Sequence, residues 1–156
     1  MKVALVGATG VLGRALVPLL IERHSVRALV RTPDSARRLF GERVDAAECD
    51  LLAPGIAERL PDLLAGCDVV IHAATAIPND FSQPGAMDIT NRLRTEGVSH
   101  LLAAALQADA TAYIQQSIAF AYADHGDEWI TEDTPLDPKR TVVIEMERQV
   151  RAAPTD

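Results

Sequence analysis

A short apolar segment followed by three evenly spaced glycines constrains this chain more than any other feature. Residues 3–6 have the composition of a buried strand, and Gly7, Gly10 and Gly13 follow in the pattern G-x-x-G-x-x-G before a helical pattern begins. Gly7 permits a sharp turn, Gly10 lets the backbone approach a phosphate, and Gly13 lets the helix pack against its strand. The segment therefore predicts a strand, a turn and a helix start that together bind a pyrophosphate.

The residues between the glycines belong to the same predicted site. Thr9, Val11 and Leu12 occupy these positions and are assigned to cofactor binding together with the three glycines. The spacing departs from the G-x-G-x-x-G of the standard dinucleotide fingerprint. The alternative is a tight turn that binds no ligand, but the position between a strand and a helix favours a binding site.

Alternating strand and helix patterns continue through residues 1–156 and predict one domain. Strands are predicted at 2–6, 25–31, 44–49, 68–72 and 112–116. Helices are predicted at 11–22, 33–41, 55–65 with a break at Pro61, 87–108 and 140–152. This alternation predicts an α/β fold, a doubly wound parallel sheet of the Rossmann type with about five strands and helices on both faces. The strand order is predicted as 3-2-1-4-5, with the ligand crevice between strands one and four.

Composition excludes several classes of partner. The chain has 22 acidic against 15 basic residues and a net charge of −7, which argues against nucleic acid as the main partner. No apolar run approaches the ~20 residues of a membrane span. The cysteines Cys49 and Cys67 match neither a metal-ligand spacing nor a disulfide framework, so no metal is predicted and a reduced cytoplasmic setting is expected.

Arg31 indicates which dinucleotide is bound. It ends the second predicted strand, where an NAD-binding protein usually has an acidic residue for the ribose hydroxyls. An acid there would repel a 2′-phosphate and an arginine would attract it. With Arg14 just inside the first helix, the sequence favours NADP(H), and NAD(H) is the second possibility. The alternative for Arg31 is a solvated surface charge.

Residues after the third and fourth strands are candidates for contacts with the adenine and with a ribose of the cofactor. Asp50 could accept a hydrogen bond from the adenine amino group while Leu51 covers the ring, and the alternative for Asp50 is a helix cap. Ala73 and Ala74 follow strand four and are small enough for the backbone to pass close to a ribose. His72, which ends that strand, has no acid placed to orient it, so a structural role is favoured.

Two further residues have predicted positions. Ser117 lies at the carboxyl end of strand five, where it could polarise a substrate carbonyl or only cap the strand end. Trp129 is the only tryptophan, and we expect it to cover one edge of the sheet.

These motifs together resemble the short-chain dehydrogenase/reductase superfamily, in particular its extended and atypical branch of NAD-dependent epimerases and dehydratases. The matching stretches cover nearly the whole chain and are 7–13, 49–51, 68–74, 116–119 and 130–136. The resemblance implies a pyrophosphate loop, an NADP-preferring basic residue, adenine and ribose contacts and a catalytic serine. These roles fall on Gly7, Gly10 and Gly13, on Arg31, on Asp50 and Leu51, on Ala73 and Ala74, and on Ser117.

The chain departs from the family in its catalytic residues and its length. Alignment puts Lys139 at the place of the family's tyrosine and Val143 at the place of its lysine. Counting back from Gly97 puts Arg94 at the place of the family's helix-four asparagine, and the alternative is Asn91, one turn earlier. Valine cannot lower the pKa of a proton-donating tyrosine as lysine does. Family enzymes also continue into a substrate lobe, so we expect either a fragment or a nucleotide-binding domain completed by a partner.

Two classes of function therefore remain open. The first is an NADP(H)-dependent oxidoreductase or a nucleotide-sugar epimerase or dehydratase acting on an unidentified small molecule. The second is a non-catalytic NADP(H)-binding sensor or regulatory module. By analogy with relatives, helix four and the 140–152 helix could form a homodimer interface.

Overall fold

A five-stranded parallel sheet organises the chain, and the computed structural model describes residues 1–154. The strand order is β3-β2-β1-β4-β5, which confirms the predicted doubly wound topology. The strands are β1 (Lys2–Val6), β2 (Ser25–Val30), β3 (Val44–Glu48), β4 (Val69–His72) and β5 (Ala112–Gln115). Each lies within two residues of its predicted bounds.

The helices cover both faces of this sheet. They are α1 (Val11–Leu20), α2 (Pro33–Phe40), α3 (Ile56–Leu64), α4 (Asp88–Arg92), α5 (Val98–Gln107) and α6 (Thr141–Arg151). A π-helical turn, Leu93–Gly97, joins α4 to α5, so the predicted helix over 87–108 is interrupted in its winding. Two short 3₁₀ turns occur at Gly41–Arg43 and Ala119–Ala121.

Side chains alternate along each strand and produce two core layers. In β1, Ala4 and Val6 face the layer formed with α3 and α5, whereas Val3 and Leu5 face the layer formed with α1 and α2. Because both faces are covered, the central strands are almost continuously apolar. A third cluster attaches α6 to α5 and consists of Val98, Ala121, Val143 and Met146.

Two local predictions were wrong. The predicted break at Pro61 does not occur, since α3 continues past it with Leu60 and Leu64 fully buried on either side. Trp129 does not cover the sheet edge, because its side chain is 94% exposed. The loop that carries Trp129 is held by backbone pairing at its base, where the Ala123 amide donates to the Pro135 carbonyl at 2.9 Å. The indole is therefore left on the outside of that loop.

A buried polar network links β4 to β5. Gln115 Nε2 donates to His72 Nδ1 at 2.9 Å, and the Tyr113 hydroxyl donates to Gln115 Oε1 at 3.0 Å. The His72 side chain is 1% exposed, and burial lowers its pKa to about 4 although the bond with Gln115 opposes the shift. Because Nδ1 accepts this bond, the ring is neutral with its proton on Nε2. This interior position fits the structural role favoured for His72.

The stability of the fold should decrease in acid because of His72. Its pKa is about 4 when folded against 6.5 for an unperturbed imidazole, so between these values the unfolded chain binds a proton that the folded chain does not. The free energy of unfolding should then fall as the pH is lowered through this interval, by up to roughly 3 kcal/mol from this group. Urea unfolding across the interval should show a shallower loss for His72→Asn, which keeps a side-chain acceptor for Gln115. Parallel profiles for the two proteins would contradict this assignment.

Candidate functional site

The turn after β1 lies against the end of β4. Gly7 has a φ of +93°, and a Cβ at this position would lie 2.7 Å from both the Ala73 carbonyl carbon and the Ala74 nitrogen. Only glycine combines this backbone angle with this approach. The turn thus brings Ala73 and Ala74 beside the glycine loop, which is the arrangement that the ribose and pyrophosphate assignments require.

The start of α1 is open on one side. Gly13 is closed in by the chain itself, since a Cβ there would collide with the carbonyl oxygens of Gly7 and Ala8. Gly10 differs, because a Cβ there would meet only the Gly7 carbonyl oxygen, at 3.2 Å. Within residues 1–154, the amides of Val11 and Leu12 have no hydrogen-bond acceptor. The unpaired amides and the helix dipole suit this opening to a phosphate group.

Two arginines border the opening. Arg14 is exposed, and its Nε donates to the carbonyl oxygen of Thr9 at 2.8 Å, which holds the side chain against the glycine loop. Arg31 is exposed immediately after β2, and its side chain forms no ion pair with any of residues 1–154. Both positive charges therefore lie near the edge of the sheet where β1 and β2 end.

The residues after β3 have different environments. Asp50 is exposed, and its Oδ1 accepts a bond from the Leu52 amide at 3.0 Å, so it stabilises a local turn. It does not cap α3, which begins after Gly55. Leu51 is buried in the core, with its Cδ1 3.3 Å from where a Cβ would lie on Gly97. The adenine contacts of Asp50 and Leu51 stay predictions.

Ser117 has an acidic partner that the sequence analysis did not identify. Its hydroxyl donates to Glu147 Oε1 at 2.6 Å, and Glu147 Oε2 also accepts from Arg151 Nη2 at 3.1 Å. Glu147 lies one turn beyond Val143, whose burial against α5 fixes this face of α6 toward the loop after β5. The four-residue spacing between Val143 and Glu147 was the one sequence signal that could have placed Glu147 on the buried face of this helix. Nothing local to Ser117 indicated a partner 30 residues away.

Within residues 1–154, the side chains at the aligned tyrosine and lysine positions form no hydrogen bond with Ser117 or Glu147. Lys139 is exposed on the turn before α6, and Val143 is buried in the third core cluster. Tyr113 belongs to the polar network that links β4 to β5, and burial raises the pKa of its hydroxyl. Tyr122 forms a β-bridge with Leu136.

Residues 1–154 contain neither a metal-ligand cluster nor a membrane-spanning helix. No cluster of three or more histidine, cysteine, aspartate or glutamate side chains there has a geometry that could hold a metal ion. None of the helices in this range is long and apolar enough to span a membrane.

An open parallel sheet with an uncapped helix start beside the ends of β1 and β4 defines a dinucleotide-binding Rossmann domain. Residues 7–153 match the family model described as NAD(P)H-binding. The chain belongs to this NAD(P)H-binding family.

Curated relatives include two reductases. The chain is 40% identical over 147 residues to the 3-diazoavenalumate denitrifying reductase of a Streptomyces species, which covers 87% of this chain and 44% of that protein. It is 34% identical over 125 residues to 4-hydroxy-2-methyl-3-oxo-4-farnesyl-3,4-dihydroquinoline-1-oxide ketoreductase of Stigmatella aurantiaca, covering 80% of this chain and 35% of that protein. The chain thus spans less than half the length of these relatives.

Solved structures share the fold. The UDP-glucuronic acid 4-epimerase of Bacillus cereus, in complex with UDP-glucuronic acid and NAD, superposes with a TM-score of 0.79 at 21% identity over 98% of this chain and 52% of that one. A short-chain dehydrogenase/reductase superfamily protein of Agrobacterium tumefaciens with bound NAD gives 0.76 at 24% identity, over 97% and 44%. These two neighbours confirm the fold, and the expected relation to NAD(P)-binding reductases is confirmed by the family match and the curated reductase.

Substitution of the three glycines should separate folding from binding. Gly10→Ala should lower the melting temperature much less than the other two substitutions, since its Cβ meets one oxygen at 3.2 Å, but should weaken NADPH binding by about tenfold or more, because the added methyl group enters the opening at the helix start. Gly7→Ala and Gly13→Ala should instead lower the melting temperature, since their methyl groups collide with backbone atoms. Thermal unfolding and NADPH fluorescence titration measure the two effects. An unchanged NADPH affinity in a folded Gly10→Ala protein would contradict this division.

Proposed function

We propose that this chain is the cofactor-binding part of an NADP(H)-dependent reductase. The observation that carries the proposal is the open start of α1 at Gly10, bordered by Arg14 and Arg31. Membership of the NAD(P)H-binding family supports the dinucleotide, and the two reductases among its relatives support the reaction class. Epimerase or dehydratase chemistry is less favoured, because the epimerase-like solved structures resemble this chain in fold alone.

The preference for NADP(H) over NAD(H) rests on Arg31. Its position after β2 is next to that expected for the adenosine ribose, and its charge has no counter-ion within residues 1–154. A 2′-phosphate would supply that counter-ion, since guanidinium and phosphate form bidentate hydrogen bonds.

Removal of the Arg31 side chain should therefore affect one cofactor only. Arg31→Ala should raise the dissociation constant of NADPH about tenfold and leave that of NADH unchanged, because a charge-assisted bond to the 2′-phosphate is worth roughly 1.5–3 kcal/mol. Calorimetric titration with both cofactors measures the difference. Arg23→Ala is the matched control, since Arg23 is also exposed but precedes β2 at the opposite edge of the sheet. Equal losses for NADH and NADPH would argue against the role of Arg31.

The pair Ser117–Glu147 provides a route for a proton. NADPH, when bound, would supply the hydride for a carbonyl carbon, and the carbonyl oxygen would then need a proton. In the direction of alcohol oxidation, the Glu147 carboxylate would take the hydroxyl proton of Ser117 while Ser117 takes the hydroxyl proton of the substrate alcohol, and carbonyl reduction would be the same two transfers in reverse. The 2.6 Å separation between Ser117 Oγ and Glu147 Oε1 is within the range required for this transfer. Arg151, at 3.1 Å from Oε2, then stabilises the carboxylate.

Glu147→Gln is the informative substitution for this route. Glutamine can keep the hydrogen bond with Ser117 but cannot release a proton, so kcat should fall by about 10²-fold with little change in NADPH affinity. NADPH oxidation with a panel of aldehydes and ketones measures the rate. Glu145→Gln is the control, because Glu145 lies on the same helix, is half-exposed and pairs with Arg148 away from Ser117. A Glu147→Gln protein with the wild-type rate would exclude the relay.

The second candidate is a non-catalytic NADP(H)-binding sensor. It is supported by the alignment, which puts Lys139 at the family's tyrosine position and Val143 at its lysine position. A folded protein that binds NADPH but oxidises it with no member of the carbonyl panel would support the sensor over the reductase.

A further inference from the structure

Arg94 is a buried cation that has no counter-ion in the described part of the chain. The residue is only 8% exposed, and its side chain forms no hydrogen bond or ion pair with any of residues 1–154. The other arginine of the same helical segment behaves differently, since Arg92 is exposed and binds both carboxylate oxygens of Glu96 at 2.8 and 2.9 Å. A guanidinium cannot lose its proton to avoid the cost of burial, so an unpaired one is unfavourable unless a ligand completes it.

The guanidinium is not sealed inside the protein. The unpaired side-chain atoms that are fully enclosed are His24 Nδ1 and His72 Nε2, and no nitrogen of Arg94 is among them within the part of the chain that the structure describes. Arg94 therefore reaches a narrow opening from an otherwise buried position. Burial lowers its pKa, and no acidic group offsets that effect.

Its neighbours along the helix place Arg94 at the substrate end of the crevice. One turn earlier, Thr90 Oγ1 donates to the carbonyl oxygen of Ala76 at 2.5 Å, in the loop that follows Ala73 and Ala74. One turn later, Val98 packs in the cluster that also holds Ala121 and Met146. The same helical face therefore runs from the loop after β4 to the wall that carries Ser117 and Glu147.

The irregular winding of the helix around Arg94 is typical of a functional site. Arg94 lies inside the π-helical turn Leu93–Gly97, and π turns are rare and frequently occur at functional sites. A Cβ at Gly97 would lie only 3.3 Å from Leu51 Cδ1, so this turn is packed closely against the core.

We propose that Arg94 binds an oxyanion of the substrate, a carboxylate or a phosphate, beside Ser117 and Glu147. The planar guanidinium can donate two parallel hydrogen bonds to either group, which would supply the missing counter-ion and orient the substrate. That the anion is a substrate group rests on the proposed reductase function. The presence of an anion-binding arginine there can be tested independently.

The binding test uses benzoate, inorganic phosphate and the neutral analogue benzamide, titrated calorimetrically with and without saturating NADPH. One of the two anions should bind at least about tenfold more tightly than benzamide, and Arg94→Gln should remove that preference while leaving NADPH affinity unchanged. Benzoate and phosphate distinguish the two anion classes. Arg92→Gln is the matched control on the same helical segment and should keep the preference.

A stability measurement separates ligand binding from a structural role. If Arg94 is held for a ligand, Arg94→Met should keep or raise the melting temperature of the ligand-free protein, because it removes an unpaired buried charge. Anion affinities that are unchanged in Arg94→Gln, or no anion binding by the wild type, would overturn the proposal. So would a marked loss of melting temperature in Arg94→Met with anion binding retained. A wild-type protein that binds an anion through Arg94 but not NADPH would overturn the reductase function instead.

Discussion

The close approach of the β1–α1 turn to the end of β4 is the contact on which the rest of the site depends. Gly7 has a positive φ and leaves no room for a side chain against Ala73 and Ala74. The same turn directs α1 so that its first amides face outward at Gly10. Because parallel strands end together at one edge, this single packing contact also sets where Arg31 and Ser117 lie relative to the opening.

The opposite side of the crevice is built by a separate cluster. Val98, Ala121, Val143 and Met146 pack α6 on α5, outside the two layers that sandwich the sheet. This cluster fixes the side chain of Glu147 within hydrogen-bond distance of Ser117. It also continues the helical face on which Arg94 lies. The cofactor side of the crevice thus depends on the sheet, whereas the proposed chemical side depends on how α6 is packed.

The predicted strands and helices were confirmed where the whole element is buried. Strands such as β1 and β4 are apolar runs between breaking residues, so their positions and their parallel order could be predicted. The predictions of a helix break at Pro61 and of sheet cover by Trp129 were wrong for the same reason. Local propensity does not include the tertiary contacts that compete with it. Burial of Leu60 and Leu64 holds α3 together across Pro61, and backbone pairing at the base of the 123–135 loop leaves Trp129 outside. Tertiary packing overrides propensity in both cases.

The sequence by itself determined the parallel doubly wound sheet, the glycine turn and the presence of Arg31 after the second strand. These follow from periodicity, glycine spacing and position along the chain, which are all local properties. Only the tertiary structure decided that Gly7 and Gly13 are required by the chain's own backbone while Gly10 leaves space for a ligand. It alone paired Ser117 with Glu147 and left Arg94 buried without a counter-ion among residues 1–154, because such relations depend on which distant surfaces meet when the helices pack.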